Sequence, residues 1–179
     1  MSNTKKLVFT AVCTALCVVL PMAFHAVQNA GQVFLPMHIP VLLCGLICGW
    51  PAGLLCGLLG PGLSSAITAM PPAPVLPAMT VELAVYGLVC GLMMKFVRTG
   101  RTTADLYISL VTAMAAGRVV SGLAKAFLFA PGTPPFAWVT TSLVAGLPGI
   151  VIQLVLIPLL VLTLTRAHLL PQRYAAREA

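Results

Sequence analysis

Six apolar stretches, nearly free of charged residues, make up most of this chain, and such stretches are stable as helices in a lipid bilayer. A helix that crosses the hydrocarbon core of a bilayer needs about 20 predominantly apolar residues. The pattern predicts helices at 7–24, 39–49, 52–68, 78–97, 104–129 and 138–165. The predicted fold class is therefore an all-α integral membrane protein, a six-transmembrane-helix bundle with short second and third helices that forms a single domain over residues 1–179.

The scarcity of charge argues against a soluble protein. Of the 179 residues, 7% are charged and 60% are hydrophobic, whereas a typical soluble domain has about 25% charged residues. The net charge of +7 comes from basic residues at the ends of the apolar stretches rather than along one polar face. The composition therefore indicates the lipid bilayer as the surroundings and no nucleic-acid partner.

The basic residues predict the orientation in the membrane. Eight of them would lie on one side of a six-helix bundle: Lys5, Lys6, Lys95, Arg98, Arg101, Arg166, Arg173 and Arg177. The loops on the other side, at about 25–38, 69–77 and 130–137, contain no Lys or Arg. Because cytoplasmic loops are enriched in Lys and Arg, both termini are predicted to be cytoplasmic, with 166–179 as a basic cytoplasmic tail.

Small residues recur at every fourth position in several of the predicted helices. The repeats are Gly45, Gly49, Gly53 and Gly57, then Ala11 and Ala15, and then Gly87 and Gly91. Small residues at this spacing let two helices approach closely in lipid, which increases van der Waals contact. The pattern favours packing within the bundle, and the alternative is that at least one stripe faces another protein.

Away from their cytoplasmic ends, the predicted spans contain three charged residues: Glu82, Arg118 and Lys125. A charge in the hydrocarbon costs at least about 2.5–3.5 kcal/mol and normally faces a cavity or a partner. Arg118 and Lys125 are seven residues apart and share a helix face with Ser121. If Glu82 pairs with one cation, the other is available to an anionic ligand. The alternative is a purely structural ion pair.

Other polar residues are predicted to complete a ligand pocket in the outer half of the bundle. Tyr86 lies one turn from Glu82, Asn29 and Gln32 lie in the first outer loop, and His38 begins the second helix. Ligand pockets combine mostly apolar walls with a few polar groups. The candidate ligand-binding residues are Arg118, Lys125, Glu82, Tyr86, Asn29, Gln32, His38 and Ser121.

The sequence lacks the motifs of the common catalytic sites. It contains no phosphate-binding glycine loop with Lys-Ser/Thr, no HExxH, no paired carboxylates and no CxxC. A single intramembrane acid with two bases does not make a general acid–base site. We therefore predict no enzymatic activity, no catalytic residues, no cofactor and no metal.

Several segments together match a known family. They are Ala11-Val12-Cys13-Thr14-Ala15, the run LPMHIPVLLCG at 35–45, GWPAGL at 49–54, MPP at 70–72 and ELAVYG at 82–87. With six helices and this size, the sequence resembles the substrate-binding S components of energy-coupling factor (ECF) vitamin transporters, in the broad family that includes pantothenate-type members.

The resemblance implies a division of labour. An S component captures a vitamin from outside with high affinity and delivers it inward as part of an ABC-type importer. It docks through Ala11 and Ala15 onto a transmembrane coupling subunit, which two ATPase subunits drive. The loops at about 26–38 and 69–77 would act as a lid. The expected location is the bacterial cytoplasmic membrane, as a multi-pass protein.

The substrate is predicted less sharply than the class of protein. The excess of cations inside the bundle favours an anionic vitamin, with pantothenate as the first candidate and folate and lipoate still open. Three other functions are open on the residues alone. They are an autonomous secondary transporter or channel for a small organic solute, an intramembrane enzyme, and a membrane scaffold without a small-molecule ligand.

Overall fold

The structure is a computed structural model that describes residues 1–23, 33–129 and 135–170, and of residues 128, 129, 135–138 and 142 the backbone alone. The helices are α1 Asn3–Ala23, α2 His38–Cys48, α3 Trp50–Thr68, α4 Leu76–Phe96, α5 Thr102–Ala124 with a π-helical turn at Lys125–Phe129, and α6 Pro135–Arg166. No strand occurs within these ranges. Among the described residues, five helices are long and apolar enough to cross a membrane, and α2 is a shorter apolar helix of 11 residues. The prediction of an all-helical membrane bundle is confirmed.

A single glycine separates α2 from α3. Gly49 has φ 93° and ψ 176°, a backbone conformation that residues with a Cβ atom rarely adopt. Its N–H donates to the Gly45 carbonyl oxygen at 3.1 Å, and its own carbonyl accepts from Gly53 N–H at 3.0 Å. Pro51 lies in the first turn of α3, where the missing N–H of proline costs no helical hydrogen bond. The chain therefore reverses within one residue.

Glycines also form the contact between α3 and α4. A Cβ atom on Gly53 would collide with the backbone of Gly87, and one on Gly87 would collide with the backbone of Gly53. A Cβ atom on Gly57 would collide with the Leu83 backbone, and one on Gly45 of α2 would lie 2.7 Å from the Gly87 carbonyl oxygen. The backbones of three helices therefore touch, and we call this region the glycine seam.

The first helix presents two different faces. Cys13 and Cys17 are buried, and the Cys17 Sγ lies 4.0 Å from the Cys56 Sγ of α3. Ala11 and Ala15 lie on the other side and are exposed. Of the helices long enough to span a membrane, α1 has the smallest buried share within the described chain, 11% of its apolar window. It therefore packs along one edge of the bundle.

The thiols of the chain belong to this packing. All six cysteines are free and buried: Cys13, Cys17, Cys44, Cys48, Cys56 and Cys90. Their weak hydrogen bonds run to neighbouring helices and turns, as from the Cys48 Sγ to the Lys6 carbonyl oxygen at 3.7 Å and from the Cys17 Sγ to the Met37 carbonyl oxygen at 3.8 Å. They act as small apolar residues between α1, α2, α3 and α4.

Candidate functional site

Glu82 of α4 lies at the centre of a buried polar cluster. Its Oε1 is 3.2 Å from Arg118 Nη1 of α5 and 3.5 Å from His38 Nε2 of α2. All three side chains are nearly inaccessible, with 5% of Glu82, 5% of Arg118 and 2% of His38 exposed. Three helices that are distant in sequence therefore bring one acid, one base and one imidazole to a single point.

Tyr86 extends this cluster one turn along α4. Its ring meets the His38 ring edge to face, with the centroids 5.2 Å apart and the planes at 69°. On the other side the ring lies against Gly117 of α5, where a Cβ atom would collide with two ring carbons. The glycine at this position therefore makes room for an aromatic ring between α4 and α5, and Tyr86 is only 1% exposed.

The guanidinium of Arg118 also contacts α6. A Cβ atom on Gly146 would lie 2.8 Å from Arg118 Nη2 and 3.1 Å from the Leu35 Cδ1. Gly146 therefore accommodates the guanidinium, and Leu35, just before α2, lies beside it. Residues of four helices and of the turn before α2 enclose the cluster.

Several polar atoms of the cluster have no hydrogen-bond partner among the residues that the structure describes. They are both ring nitrogens of His38, Glu82 Oε1, Tyr86 Oη, and Arg118 Nε and Nη2. Buried polar groups are almost always hydrogen-bonded, because an unpaired one costs about 1–3 kcal/mol. The cluster thus offers two guanidinium donors, a hydroxyl and an imidazole to a polar molecule.

Two further predicted residues lie on α5 and its continuation. Ser121 is buried, and its hydroxyl donates to the Arg118 carbonyl oxygen at 3.3 Å, so it is engaged within its own helix. Lys125 begins the π-helical turn and is half-buried. It is near enough to Glu82 for the two charges to interact. One carboxylate is therefore within reach of two cations.

Gln153 of α6 is a buried residue that the sequence reasoning missed. It is 0% exposed, and its Nε2 donates to the Leu35 carbonyl oxygen at 3.5 Å. A signal was present, since Gln153 is a polar residue in the middle of a long apolar stretch. Because the amide carries no charge, it did not stand out as Glu82, Arg118 and Lys125 did, and it was not among the predicted residues.

The remaining predicted residues fall elsewhere. Asn29 and Gln32 lie outside the described residues. Ala11 and Ala15 lie on the exposed face of α1, whereas His38, Glu82, Tyr86 and Arg118 meet inside the bundle. Within the described ranges, no group of three or more His, Cys, Asp or Glu side chains is placed to hold a metal ion.

A bundle of apolar helices that encloses a charged, incompletely hydrogen-bonded cluster defines a multi-pass membrane protein with an internal polar site. The family model of the ECF transporter, substrate-specific component, matches residues 5–161. The chain belongs to this family and is a substrate-binding subunit of an ECF importer. Comparisons with curated proteins and with solved structures gave no match. The family resemblance read from the sequence is confirmed, and the pantothenate-type subfamily stays a prediction.

Proposed function

We propose that this subunit binds a small anionic vitamin, with pantothenate as the first candidate, in the cluster around Arg118. The observation that carries the proposal is the buried guanidinium. It is held by Glu82 through Nη1, while Nε and Nη2 have no hydrogen-bond partner among the described residues. Guanidinium groups bind carboxylates through two parallel hydrogen bonds, which are stronger than bonds between neutral groups.

The charges around the cluster support an anion rather than a cation. Glu82 supplies one negative charge, and Arg118 and Lys125 supply two positive charges within electrostatic reach of it. A ligand carboxylate would accept hydrogen bonds from Arg118 Nε and Nη2. A cationic group placed there would be repelled by the guanidinium.

The neutral groups of the cluster fit the rest of such a molecule. Tyr86 Oη and the His38 ring nitrogens are buried and can donate or accept hydrogen bonds. Pantothenate carries hydroxyl and amide groups in addition to its carboxylate, so it offers partners to Tyr86 and His38 as well as to Arg118. Folate and lipoate also carry carboxylates and are the competing candidates. Asn29 and Gln32 are proposed as further contacts from the first outer loop.

We propose further that the subunit docks through Ala11 and Ala15 onto a transmembrane coupling subunit driven by two ATPases. Both alanines are exposed on α1, opposite the buried Cys13 and Cys17. Small side chains on an exposed helix face allow another helix to approach closely. In this proposal the protein lies in the bacterial cytoplasmic membrane with both termini inside, and the vitamin enters from outside.

The decisive experiment is to purify the subunit alone and identify any co-purified vitamin by mass spectrometry. Calorimetric titration of the stripped protein with pantothenate, folate and lipoate then ranks the candidates. We expect tight, saturable binding of one carboxylate-containing vitamin without turnover. A folded preparation that binds no anionic vitamin would refute the proposal.

A liposome assay separates this function from an autonomous transporter. The subunit reconstituted alone should not move pantothenate across the membrane, whereas the complex with its coupling subunit and ATPases should do so in the presence of ATP. Uptake by the isolated subunit without ATP would favour a secondary transporter or channel instead.

A further inference from the structure

Gln153 is a buried amide that the proposed contacts with the vitamin do not use. It is fully inaccessible inside a helix of 32 residues that is otherwise largely apolar. An amide in apolar surroundings is costly unless it is hydrogen-bonded. Its Nε2 donates to the Leu35 carbonyl oxygen at 3.5 Å, and its Oε1 has no partner within the described ranges. This bond joins α6 to the turn that precedes α2.

That turn has an unfavourable backbone conformation. Leu35 has φ 51°, in the left-handed region that residues other than glycine adopt only when their surroundings enforce it. Its carbonyl oxygen also accepts from the His38 N–H at 3.0 Å, the first hydrogen bond leading into α2. The Leu35 carbonyl oxygen therefore accepts two hydrogen bonds, one from Gln153 Nε2 and one from the His38 N–H at the start of α2.

The face of α6 that carries Gln153 is shaped to receive this turn. A Cβ atom on Gly149 would lie 2.7 Å from the Val33 carbonyl oxygen, and one on Gly146 would lie 3.1 Å from the Leu35 Cδ1. Gly146, Gly149 and Gln153 are three and four residues apart, so they share one helix face. Because Gly146 also borders Arg118, the turn and the guanidinium are held against the same surface.

We propose that Gln153 is a positioning residue for vitamin binding, acting through the Leu35 carbonyl to place His38 against Glu82. The inference rests on the proposed function, since it concerns how the same cluster is kept ready. Gln153 fixes the turn, the turn sets the first residue of α2, and that residue is His38, 3.5 Å from Glu82. The amide itself does not contact the vitamin in this proposal.

The first measurement needs no vitamin. Gln153→Leu and Gln153→Met remove the amide and keep a side chain of similar length, and either variant suffices if the other folds poorly. In either variant the Leu35 carbonyl oxygen keeps the His38 N–H as a donor, so no buried group is left unpaired and the loss of the amide should cost little overall stability. We therefore expect an unchanged melting temperature together with faster amide hydrogen exchange in residues 33–41, read by mass spectrometry. Unchanged exchange in both variants would overturn the proposal.

The second measurement tests the route of the effect with pantothenate as the probe. We expect Gln153→Leu to weaken the affinity by about five- to tenfold, the loss typical of one hydrogen bond. In a His38→Phe background, Gln153→Leu should weaken it no further, because the effect passes through His38. An equal loss in both backgrounds would mean that Gln153 contacts the vitamin directly, which would also overturn the proposal.

Thr163→Val on the same helix is the matched control. The Thr163 hydroxyl bonds only to carbonyls of its own helix, at 2.8 Å to Leu159 and 3.0 Å to Leu160 among the described residues. It should change neither exchange nor affinity. If the unaltered protein does not bind pantothenate, the choice of vitamin fails, and the exchange measurement alone decides whether Gln153 holds the turn.

Discussion

The glycine seam between α3 and α4 and the alanine pair on α1 share one sequence pattern and have opposite surroundings. In the seam, Gly53 and Gly87 lie so close that neither tolerates a Cβ atom. On α1, Ala11 and Ala15 have the same four-residue spacing, yet both are exposed. The expectation of internal packing holds for the glycines. The alanines are exposed instead, and that they face another protein stays a prediction.

The difference teaches that spacing reports how closely a partner can approach but not where that partner is. The backbone-to-backbone contact of the seam requires glycine, because any side chain would occupy the space of the neighbouring helix. An alanine keeps a Cβ atom and still presents a nearly flat helix face to whatever lies outside the bundle. The residue type, glycine or alanine, therefore distinguishes the buried seam from the exposed face, whereas the four-residue spacing does not.

The largest effect is expected from Gly87→Val in the seam. A branched side chain would collide with the Gly53 backbone, which cannot move as a side chain can. Overpacking of a tight core costs about 1–3 kcal/mol or more, and backbone collisions lie at the upper end. We expect little folded protein by size-exclusion chromatography and a strongly lowered melting temperature.

Gly62→Ala on α3 is the control for this change. Gly62 is exposed, and a Cβ atom there would meet nothing within 4 Å of the described residues. It should be neutral or stabilising by roughly 0.5–1 kcal/mol, because alanine is the better helix former. A comparable loss of stability in Gly87→Val and Gly62→Ala would show that the seam does not require glycine more than an exposed position does.

Ala15→Trp on α1 should leave the fold intact and abolish docking, in contrast to Gly87→Val, which should disrupt the fold. The exposed position accommodates an indole without disturbing the core, so the melting temperature and vitamin affinity should stay unchanged. Docking of another helix should be blocked, so complex formation and uptake should be lost. Ala11→Trp should behave in the same way. A loss of vitamin binding would instead assign the alanines to internal packing and remove the contrast with the seam.

Arg118→Ala addresses the site that the seam helps to build. We expect the affinity for an anionic vitamin to fall by the ~1.5–3 kcal/mol typical of a hydrogen bond to a charged group, about 10- to 150-fold, measured by calorimetry. Because Glu82 would lose the partner at 3.2 Å, stability should also fall.

The double variant Arg118→Ala/Glu82→Ala separates these two losses. Removing both charges should recover much of the stability and leave the affinity low. If affinity returned together with stability, Arg118 would be only a structural partner of Glu82.

Gly146→Ala should have the smallest effect on stability and affinity. Gly146 is small for a third reason, which is to leave room for the Arg118 side chain. Its Cβ atom would press on the end of a flexible side chain, Arg118 Nη2 at 2.8 Å, rather than on backbone. The guanidinium can shift, so stability should change little and affinity should fall only a few-fold. A melting temperature as low as that of Gly87→Val would place Gly146 in the same class as the seam.

Most of the architecture was accessible from the sequence because it depends on the length of apolar stretches and on where charges interrupt them. The site was accessible only in part. Glu82, Arg118 and Tyr86 stood out as polar residues inside spans, but their pairing depends on how each helix is rotated. The sequence therefore left open whether Glu82 meets Arg118 or Lys125, and the structure places Arg118 Nη1 at 3.2 Å.

The missed residues share a physical reason. Gln153 carries no charge, so it does not stand out as an ionisable residue does. Its partner is the backbone carbonyl of Leu35, and a pattern of side chains does not predict a bond to a backbone atom. The left-handed conformation of Leu35 is equally hidden, because leucine does not favour it and the packing against α6 enforces it. Contacts to backbone atoms depend on tertiary structure, and local patterns do not encode them.

The ion pair between Glu82 and Arg118 has a consequence for the empty protein. A long cationic side chain usually loses about 0.5–1.5 kcal/mol of rotamer freedom when a ligand immobilises it. Here the Glu82 carboxylate, 3.2 Å from Arg118 Nη1, already fixes that side chain as part of folding. In the proposed function, an arriving anion would therefore meet a preorganised receptor, and the free energy of its contacts would go into affinity instead of into ordering the site.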